Sequence, residues 1–148
     1  MSKTNLTDIA LEILKNEIEG DMKLALQKMT PDYSMTWVYQ GYDGKFFPRT
    51  KPDFQNLMRS AYKIKGRKYE IINVAESKDL VMLELIESYP DPKTKQIYTT
   101  PQIIVLEFKG NKIKVGRHYC DPRLSLKKLP KDYKKRIFAD IKKTKVIK

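Results

Sequence analysis

Residues 102–121 read QIIVLEFKGNKIKVGRHYCD, and this stretch decides the fold. Two runs of apolar and β-branched residues flank Gly110-Asn111, a dipeptide typical of a two-residue hairpin turn. If Lys109 pairs with Lys112, regular alternation places apolar side chains near the turn of one face and polar side chains at its far end. The predicted apolar wall consists of Ile104, Leu106, Phe108, Ile113 and Val115, and the predicted polar end of Gln102, Arg117, Tyr119 and Asp121. This arrangement is typical of a small-molecule pocket.

The opposite face of the predicted hairpin carries the chain's only histidine and only cysteine. The same register places His118 and Cys120 there, beside Ile103 and Val105. An interface histidine is therefore favoured over a catalytic base. A β-bulge in either strand would exchange the two faces locally, and His118 could then pair with Asp121 for acid–base chemistry.

Composition indicates one ordinary globular domain. The chain has 148 residues, of which 41% are hydrophobic and 32% charged, enough to enclose a core. No apolar run approaches the ~20 residues of a membrane span, and the first residues lack the pattern of a secretory signal. A single cysteine cannot form an internal disulfide, which fits a cytoplasmic protein. One histidine and one cysteine are too few for a four-ligand structural zinc site, so no metal is expected.

Positive charge is concentrated in the last 22 residues. The net charge is +12, but residues 127–148 contain ten lysines or arginines and two aspartates, which leaves only +4 for residues 1–126. We therefore predict a main domain over residues 1–126 and a basic extension over residues 127–148. A stripe of Tyr133, Ile137, Phe138 and Ile141 predicts that this extension is helical.

The order of the predicted elements indicates an α+β protein. Helical periodicity begins at Leu6 and ends at Gly20, Asp21 caps a second helix that ends at residues 30–32, and Lys51-Pro52 opens a third that Gly66 closes. An aromatic strand over residues 33–40 lies between the second and third helices. Four β-rich runs then follow at residues 69–77, 80–89, 97–108 and 113–120. Helices first and antiparallel strands after are typical of α+β folds.

This order of parts resembles the SnoaL-like branch of the nuclear-transport-factor-like superfamily, which also contains ketosteroid isomerase, limonene epoxide hydrolase and scytalone dehydratase. The resemblance covers about residues 6–126 and is most specific in the last strand, where the Gly110-Asn111-Lys112-Ile113 turn leads to Tyr119-Cys120-Asp121-Pro122. It implies a cone-shaped, curved antiparallel sheet wrapped around three N-terminal helices, with a pocket on the concave face. It also implies a homodimer through the convex face.

Asp121 is the predicted catalytic base, because a carboxyl desolvated at the end of an apolar cone has a raised pKa. Tyr119 and Arg117 would stabilise developing negative charge. In the favoured structural alternative, Arg117 pairs with Asp121, lowers its pKa and mainly orients the side chains. The residues predicted to line the ligand pocket are Trp37, Tyr39, Phe54, Met58, Tyr62, Gln102, Ile104 and Leu106.

Glu84 and Glu87 interrupt an apolar strand and lie on opposite faces of it. One of them is therefore expected to face the interior. Paired acids on a concave sheet could hold a water molecule for hydrolysis or hydration, whereas a solvated rim charge is the more common role.

Three functions follow from these patterns. The leading one is a pocket for a small apolar ligand bearing a carbonyl or hydroxyl group, with isomerisation, dehydration or cyclisation as the chemistry if it is an enzyme. No cofactor is expected, because no phosphate-binding or metal motif is present. The alternative is a non-catalytic interaction domain with a side-chain-filled cone and a basic docking tail. The third and least favoured function is nonspecific nucleic-acid binding by the basic tail. Sequence-specific binding is not expected, because no sequence-specific nucleic-acid motif is present.

Overall fold

A computed structural model describes residues 5–38, 49–121, 130, 132–138 and 145–147. The helices are α1 (Leu6–Glu19), α2 (Met22–Gln27), α3 (Lys51–Met58) and α4 (Tyr133–Ile137), with a 3-10 turn at Ala61–Lys63. The strands are β1 (Met29–Trp37), β2 (Arg49–Thr50), β3 (Lys68–Glu76), β4 (Leu80–Pro90), β5 (Ile97–Lys109), β6 (Lys112–Cys120) and β7 (Lys145–Ile147). The predicted α+β class is confirmed. Among the described residues, no helix is long and apolar enough to cross a membrane.

The corner between α1 and α2 forms as its residues predict. Gly20 ends α1 with a left-handed backbone, φ 79°, and the Asp21 side chain accepts a hydrogen bond from the Leu24 amide at 2.9 Å. A Cβ atom on Gly20 would lie 2.7 Å from the Tyr62 carbonyl oxygen. Glycine therefore permits the close approach that brings the end of α1 against the 3-10 turn.

Two predicted boundaries are wrong. Helix α2 ends at Gln27 rather than at residues 30–32, because β1 already begins at Met29 and includes Asp32, whose carboxylate lies 3.7 Å from Lys114 Nζ. Helix α3 begins as predicted, with a capping box between Thr50 and Asp53, but it ends at Met58 rather than near Gly66. The 3-10 turn that follows places Tyr62 in the interior, where 4% of its surface is exposed.

The strands form one curled seven-stranded sheet in the order β2-β1-β6-β5-β4-β3-β7. Strands β3 to β6 form the antiparallel meander that the sequence predicts. The sheet is nevertheless mixed, because β1 lies parallel to β6. We call the face that packs against α1 and α3 the inner face and the opposite one the outer face.

The hairpin turn is correctly predicted, but the register of β5 and β6 is not. Lys109 pairs with Lys112 and Phe108 with Ile113, after which Glu107 pairs with Val115. Lys114 is therefore an extra residue, a β-bulge that shifts every later pair by one. From Val115 onward, the two faces of β6 are exchanged relative to regular alternation, so Val115 lies opposite Glu107 on the outer face and not in the predicted apolar wall.

The C-terminal extension contains both a helix and a strand, where the sequence predicts only a helix. Helix α4 spans one turn and a half, and β7 pairs antiparallel with the edge of β3, with Ile147 opposite Tyr69. Ile141 lies outside the described residues. The stripe of Tyr133, Ile137 and Phe138 lies beside the outer face of the sheet.

Candidate functional site

The inner face carries most of the predicted pocket residues. Phe54 is buried and contacts Tyr33 edge to face, with ring centroids 5.6 Å apart, and Met58 packs against the core. Trp37 lies edge to face with His118 at 6.5 Å. The side chains of Gln102, Ile104 and Leu106 follow one another along the inner face of β5, and Tyr62 is buried. Tyr39 lies outside the described residues. Ligand contact by these residues stays a prediction.

The predicted polar end does not assemble, because the bulge turns part of it outward. Arg117 pairs with Val105 and Tyr119 with Ile103, both on the outer face, and Arg117 donates to Glu107 at 2.5 Å. The expected approach of Arg117 and Tyr119 to Gln102 on one face is therefore wrong. Asp121 directly follows β6, and its role as a base stays a prediction.

A different polar group occupies the same end of the inner face. We call it the interior charge cluster; it consists of Glu17, Arg67, Tyr69, Glu87 and Gln102. It draws on α1, β3, β4, β5 and the residue preceding β3. The end of the inner face near the hairpin turn is apolar, with Val81, Leu106, Phe108 and Ile113 buried. The inner face thus has an apolar end and a polar end, as predicted. The polar end, however, is formed by the interior charge cluster and not by the predicted set, of which only Gln102 belongs to the cluster.

Arg67 lies between two carboxylates at the centre of this cluster. Its guanidinium ion-pairs with Glu87 in close contact and lies 3.4 Å from a Glu17 carboxylate oxygen. A further donor contacts the Ala61 carbonyl oxygen at 3.2 Å. The Arg67 side chain is 4% exposed, and those of Glu17 and Glu87 are 10% and 16% exposed. The two carboxyl groups therefore share one buried cation.

Neutral side chains hold the two carboxylates in place. The Tyr69 hydroxyl donates to Glu17 at 2.9 Å and lies 3.5 Å from Glu87, and Gln102 Nε2 donates to Glu87 at 3.0 Å. Tyr69 is opposite Glu87 in the β3–β4 pairing, which sets the distance between them. The cluster therefore forms a continuous hydrogen-bonded network across three strands and one helix.

Burial dominates the protonation equilibria of the interior. It raises the pKa of Glu17, although Arg67 and the Tyr69 hydroxyl act in the opposite direction. Burial and the charge of Glu17 raise the pKa of Tyr33, Tyr62 and Tyr69. A carboxyl with a raised pKa can hold a proton closer to neutral pH than an exposed one and can donate it.

The bulge places His118 and Cys120 on the inner face, opposite Ile104 and Gln102. Burial lowers the pKa of His118 to about 4, and burial together with Asp121 raises that of Cys120 to about 11. Both side chains are therefore neutral at pH 7. The outward prediction for His118 is wrong, and the bulge considered in the sequence analysis is the physical reason.

Two polar atoms at this end lack a protein partner. Arg67 Nε and the Tyr62 hydroxyl are buried and have no hydrogen-bond partner among the described residues. Buried donors are usually satisfied by protein, water or ligand. These two atoms are therefore positions where a bound polar group would find a partner.

Sequence reasoning found part of this cluster and missed the rest. The opposite orientations of Glu84 and Glu87 are confirmed, since Glu87 enters the cluster and Glu84 accepts from Asn73 Nδ2 at 2.6 Å on the outer face. Glu17 could have been found as a charge next to Ile18 on the apolar side of α1. Arg67 gave no signal, because it follows a glycine turn in a lysine-rich segment.

Solved structures share this fold at low sequence identity. AclR, a candidate hydroxylase from Streptomyces galilaeus, superposes with a TM-score of 0.69 at 16% identity, covering 91% of this chain and 95% of AclR. A candidate isomerase from Bacillus subtilis gives 0.67 at 19% identity, with 82% and 92% covered. A candidate SnoaL-like polyketide cyclase from Shewanella putrefaciens gives 0.66 at 12% identity, with 80% and 81% covered. No family model and no curated protein sequence matches the chain.

Proposed function

We propose, on the premise that this chain has the NTF2-like cone fold of the SnoaL-like superfamily, that it binds a small apolar ligand at the interior charge cluster. The ligand bears a carbonyl or hydroxyl group, which meets the buried donors and carboxylates at the polar end, while its apolar part lies along the inner face. The observation that carries the proposal is the ion-paired group of Glu17, Arg67 and Glu87 inside the cone.

Energetic cost is the first argument. Removing two carboxylates and a guanidinium from water costs several kcal/mol per ion, and an apolar replacement of similar volume is often neutral or stabilising. Folding alone therefore gives little reason to bury this group. A buried carboxyl with a raised pKa, such as that of Glu17, is typical of functional sites.

The chemistry follows from the contacts of each group. Glu17 has a raised pKa and acts as the proton donor, whereas Glu87, which accepts from Arg67 and Gln102, acts as the acceptor. Arg67 and Tyr69 orient both carboxylates. Isomerisation, dehydration or cyclisation requires a proton to leave one atom of the ligand and another to arrive elsewhere, which such a pair can perform without a cofactor.

The similar structures support the same class of activity. They include proteins described as a candidate isomerase and a candidate polyketide cyclase. Fold similarity alone does not transfer a reaction, so the proposal depends on the charge cluster rather than on these proteins.

The alternative is a non-catalytic interaction domain. One observation favours it: Arg67 makes its ion pairs and the Ala61 carbonyl contact within the protein, as a purely structural network would. In that case, the cluster specifies the packing of α1 on the sheet and binds no ligand.

The test is a thermal-shift screen of the full chain against steroids, polyketide-like aromatics, terpenoids and fatty acids. We expect at least one class to raise the melting temperature. Glu87→Gln should weaken binding of that compound at least ~10-fold, because a charge-assisted hydrogen-bond partner is lost. Glu84→Gln is the matched control, since it makes the same change on the outer face of the same strand.

A compound that binds is then incubated with the protein, and its products are measured by mass spectrometry. Turnover that is lost in Glu17→Gln supports the assigned proton donor, and Asp121→Asn tests the base predicted from the sequence. Equal binding by Glu87→Gln and Glu84→Gln, or no binding by any class, would favour the interaction domain.

A further inference from the structure

A groove lies between helix α4 and the outer face of the sheet. Its volume is about 190 Å³, roughly the space of six water molecules. We call it the tail groove. Three of its side chains belong to strands β4, β5 and β6, and three belong to the C-terminal segment. They are Glu84, Ile103 and Tyr119 on the sheet, and Tyr133, Ile137 and Phe138 on the segment.

Strand pairing places the sheet side of the tail groove in one row. Ile103 lies opposite Glu84 of β4 and opposite Tyr119 of β6, so the three side chains are neighbours across three strands. The bulge at Lys114 is what turns Tyr119 to this face. Ile103 and Tyr119 are 37% and 40% exposed, so neither is covered by the segment above it. A carboxylate, an aliphatic side chain and a phenol ring therefore form the floor of the groove.

The C-terminal segment adds two aromatic rings on the other side. Tyr133 and Phe138 lie edge to face, with ring centroids 6.4 Å apart and ring planes at 80°, so the two rings form a corner. Lys134 Nζ donates to a Glu70 carboxylate oxygen at 2.9 Å, and β7 pairs with β3 further along the chain. Contacts outside the groove thus hold both rings over the sheet.

Glu84 is the only charged side chain among the described residues that line the tail groove. Two other glutamates of the outer face each pair with a cation. These pairs are Glu70 with Lys134 and Glu107 with Arg117. Glu84 instead accepts from Asn73 Nδ2 at 2.6 Å, and it forms no ion pair within the described part of the chain. Burial and the charge of Glu84 raise the pKa of Tyr133, which agrees with a carboxylate close to that ring.

We propose that the tail groove binds a small methylated ammonium compound such as choline, with its cationic headgroup among Tyr119, Tyr133 and Phe138 and beside the Glu84 carboxylate. The faces of aromatic rings and the carboxylate both attract the positive charge, while the methyl groups contact the apolar side chains. The groove lies on the opposite face of the sheet from the interior charge cluster, so binding here does not depend on the function of the interior.

Other ligand classes fit the tail groove less well. A primary ammonium group is strongly hydrated and would exchange its water for a single charged acceptor, Glu84. A neutral apolar ligand would leave the Glu84 carboxylate desolvated without a counter-charge. The volume of about 190 Å³ is below that of pockets for drug-sized ligands, and it suits a headgroup of a few carbon atoms.

The test is a titration of the full chain with choline, followed by the isoleucine methyl signals in NMR. Ile103 and Ile137 line the groove and report binding there. Choline is added up to about 50 mM, so that even a Kd of a few millimolar is measured. The comparison compound is the neutral analogue of choline in which a tert-butyl group replaces the trimethylammonium group. We expect choline to shift both isoleucine signals and to bind at least ~10-fold more tightly than this analogue.

Three variants separate the contributions of charge and ring. Glu84→Gln keeps an acceptor for Asn73 and should weaken choline binding at least ~10-fold, while binding of the neutral analogue stays unchanged. Glu19→Gln is the matched control, because it removes the same charge from an exposed position on α1, and it should bind choline as the unmodified chain does. Tyr119→Leu removes a ring from a strand, where the C-terminal segment is not disturbed, and should weaken choline binding about 3-fold.

Four outcomes would overturn the proposal. The first is a titration in which choline shifts neither Ile103 nor Ile137. The second is a neutral analogue that binds as tightly as choline, which would mean that the groove only takes up apolar groups. The third is equal binding of choline by Glu84→Gln and Glu19→Gln. The fourth is sedimentation with phosphatidylcholine vesicles, which carry the same headgroup, without binding of free choline; the ligand would then be a lipid surface.

Discussion

Arg67 is the residue on which the interior depends most. It is the only described cation in contact with Glu17 and Glu87, and it is almost fully buried. A buried ion pair adds little net stability compared with an apolar pair, yet removal of one partner leaves an uncompensated charge. The role of Arg67 is therefore measurable only in variants that remove one charged partner of the cluster and leave the others in place.

Arg67→Met should destabilise the protein by about 3–5 kcal/mol, because two carboxylates then remain buried without their cation. The triple variant Glu17→Gln/Arg67→Met/Glu87→Gln should recover much of this loss. Urea unfolding measures both. Lys15→Met is the control: its pair with Glu19, at 3.7 Å, is exposed and contributes less than ~1 kcal/mol. A loss for Arg67→Met as small as that of Lys15→Met would contradict the assigned role.

At the scale of the element, the bulge in β6 determines which side chains face the interior. Lys114 is the extra residue, and Gly116 follows it on the inner face, where a Cβ atom would lie 2.8 Å from the Tyr33 hydroxyl oxygen. His118 and Cys120 then follow at steps of two. One inserted residue thus exchanges a predicted Arg–Tyr end for a His–Cys end.

Deletion of Lys114 should cost only about 1–2 kcal/mol, because Val115 still pairs with Glu107 and the later residues keep their faces. Deletion of Arg117 should cost several kcal/mol more, since it turns His118 outward and Tyr119 into the packed interior. Thermal unfolding of the two deletions tests this. Similar losses in both would mean that the register beyond the bulge matters little.

For the whole molecule, stability depends on pH in part through the half-buried imidazole of His118. The pKa of His118 is lowered to about 4 in the folded state, below its ordinary value near 6.5. Between these values, the unfolded chain binds more protons than the folded one. The contribution of His118 is therefore fully present above about pH 6.5 and is lost as the pH falls toward 4.

We expect the unfolding free energy to fall by no more than about 3 kcal/mol from this source between pH 7 and pH 4. His118→Phe removes the contribution of His118 to the pH dependence of the unfolding free energy. Because the carboxyl groups titrate alike in both proteins, subtracting one pH curve from the other leaves the contribution of His118. His118 is the only histidine, so its imidazole signal in NMR needs no assignment. A titration midpoint near pH 6.5 would contradict the lowered pKa of His118.

Local sequence patterns determined much of the fold. The glycine turn at Gly20, the cap at Asp21, the start of a helix at Lys51-Pro52 and the Gly110-Asn111 hairpin are read from neighbouring residues, and all are present. The α+β class and the shared face of Gln102, Ile104 and Leu106 on β5 followed from the same information. These features depend on contacts between residues close in the chain, which periodicity and turn chemistry report directly.

Only the tertiary structure decided the site. The bulge at Lys114 coincides with a register shift against β1, a parallel neighbour that no hairpin pattern predicts. Arg67 meets Glu17 across 50 positions of the chain, and β7 meets β3 across more than 70, so neither contact leaves a local signal. Regular alternation along a strand predicts which side chains share a face, but one extra residue reverses that assignment for every residue after it. The chemistry of the interior therefore depends on packing between elements rather than on the strand sequence alone.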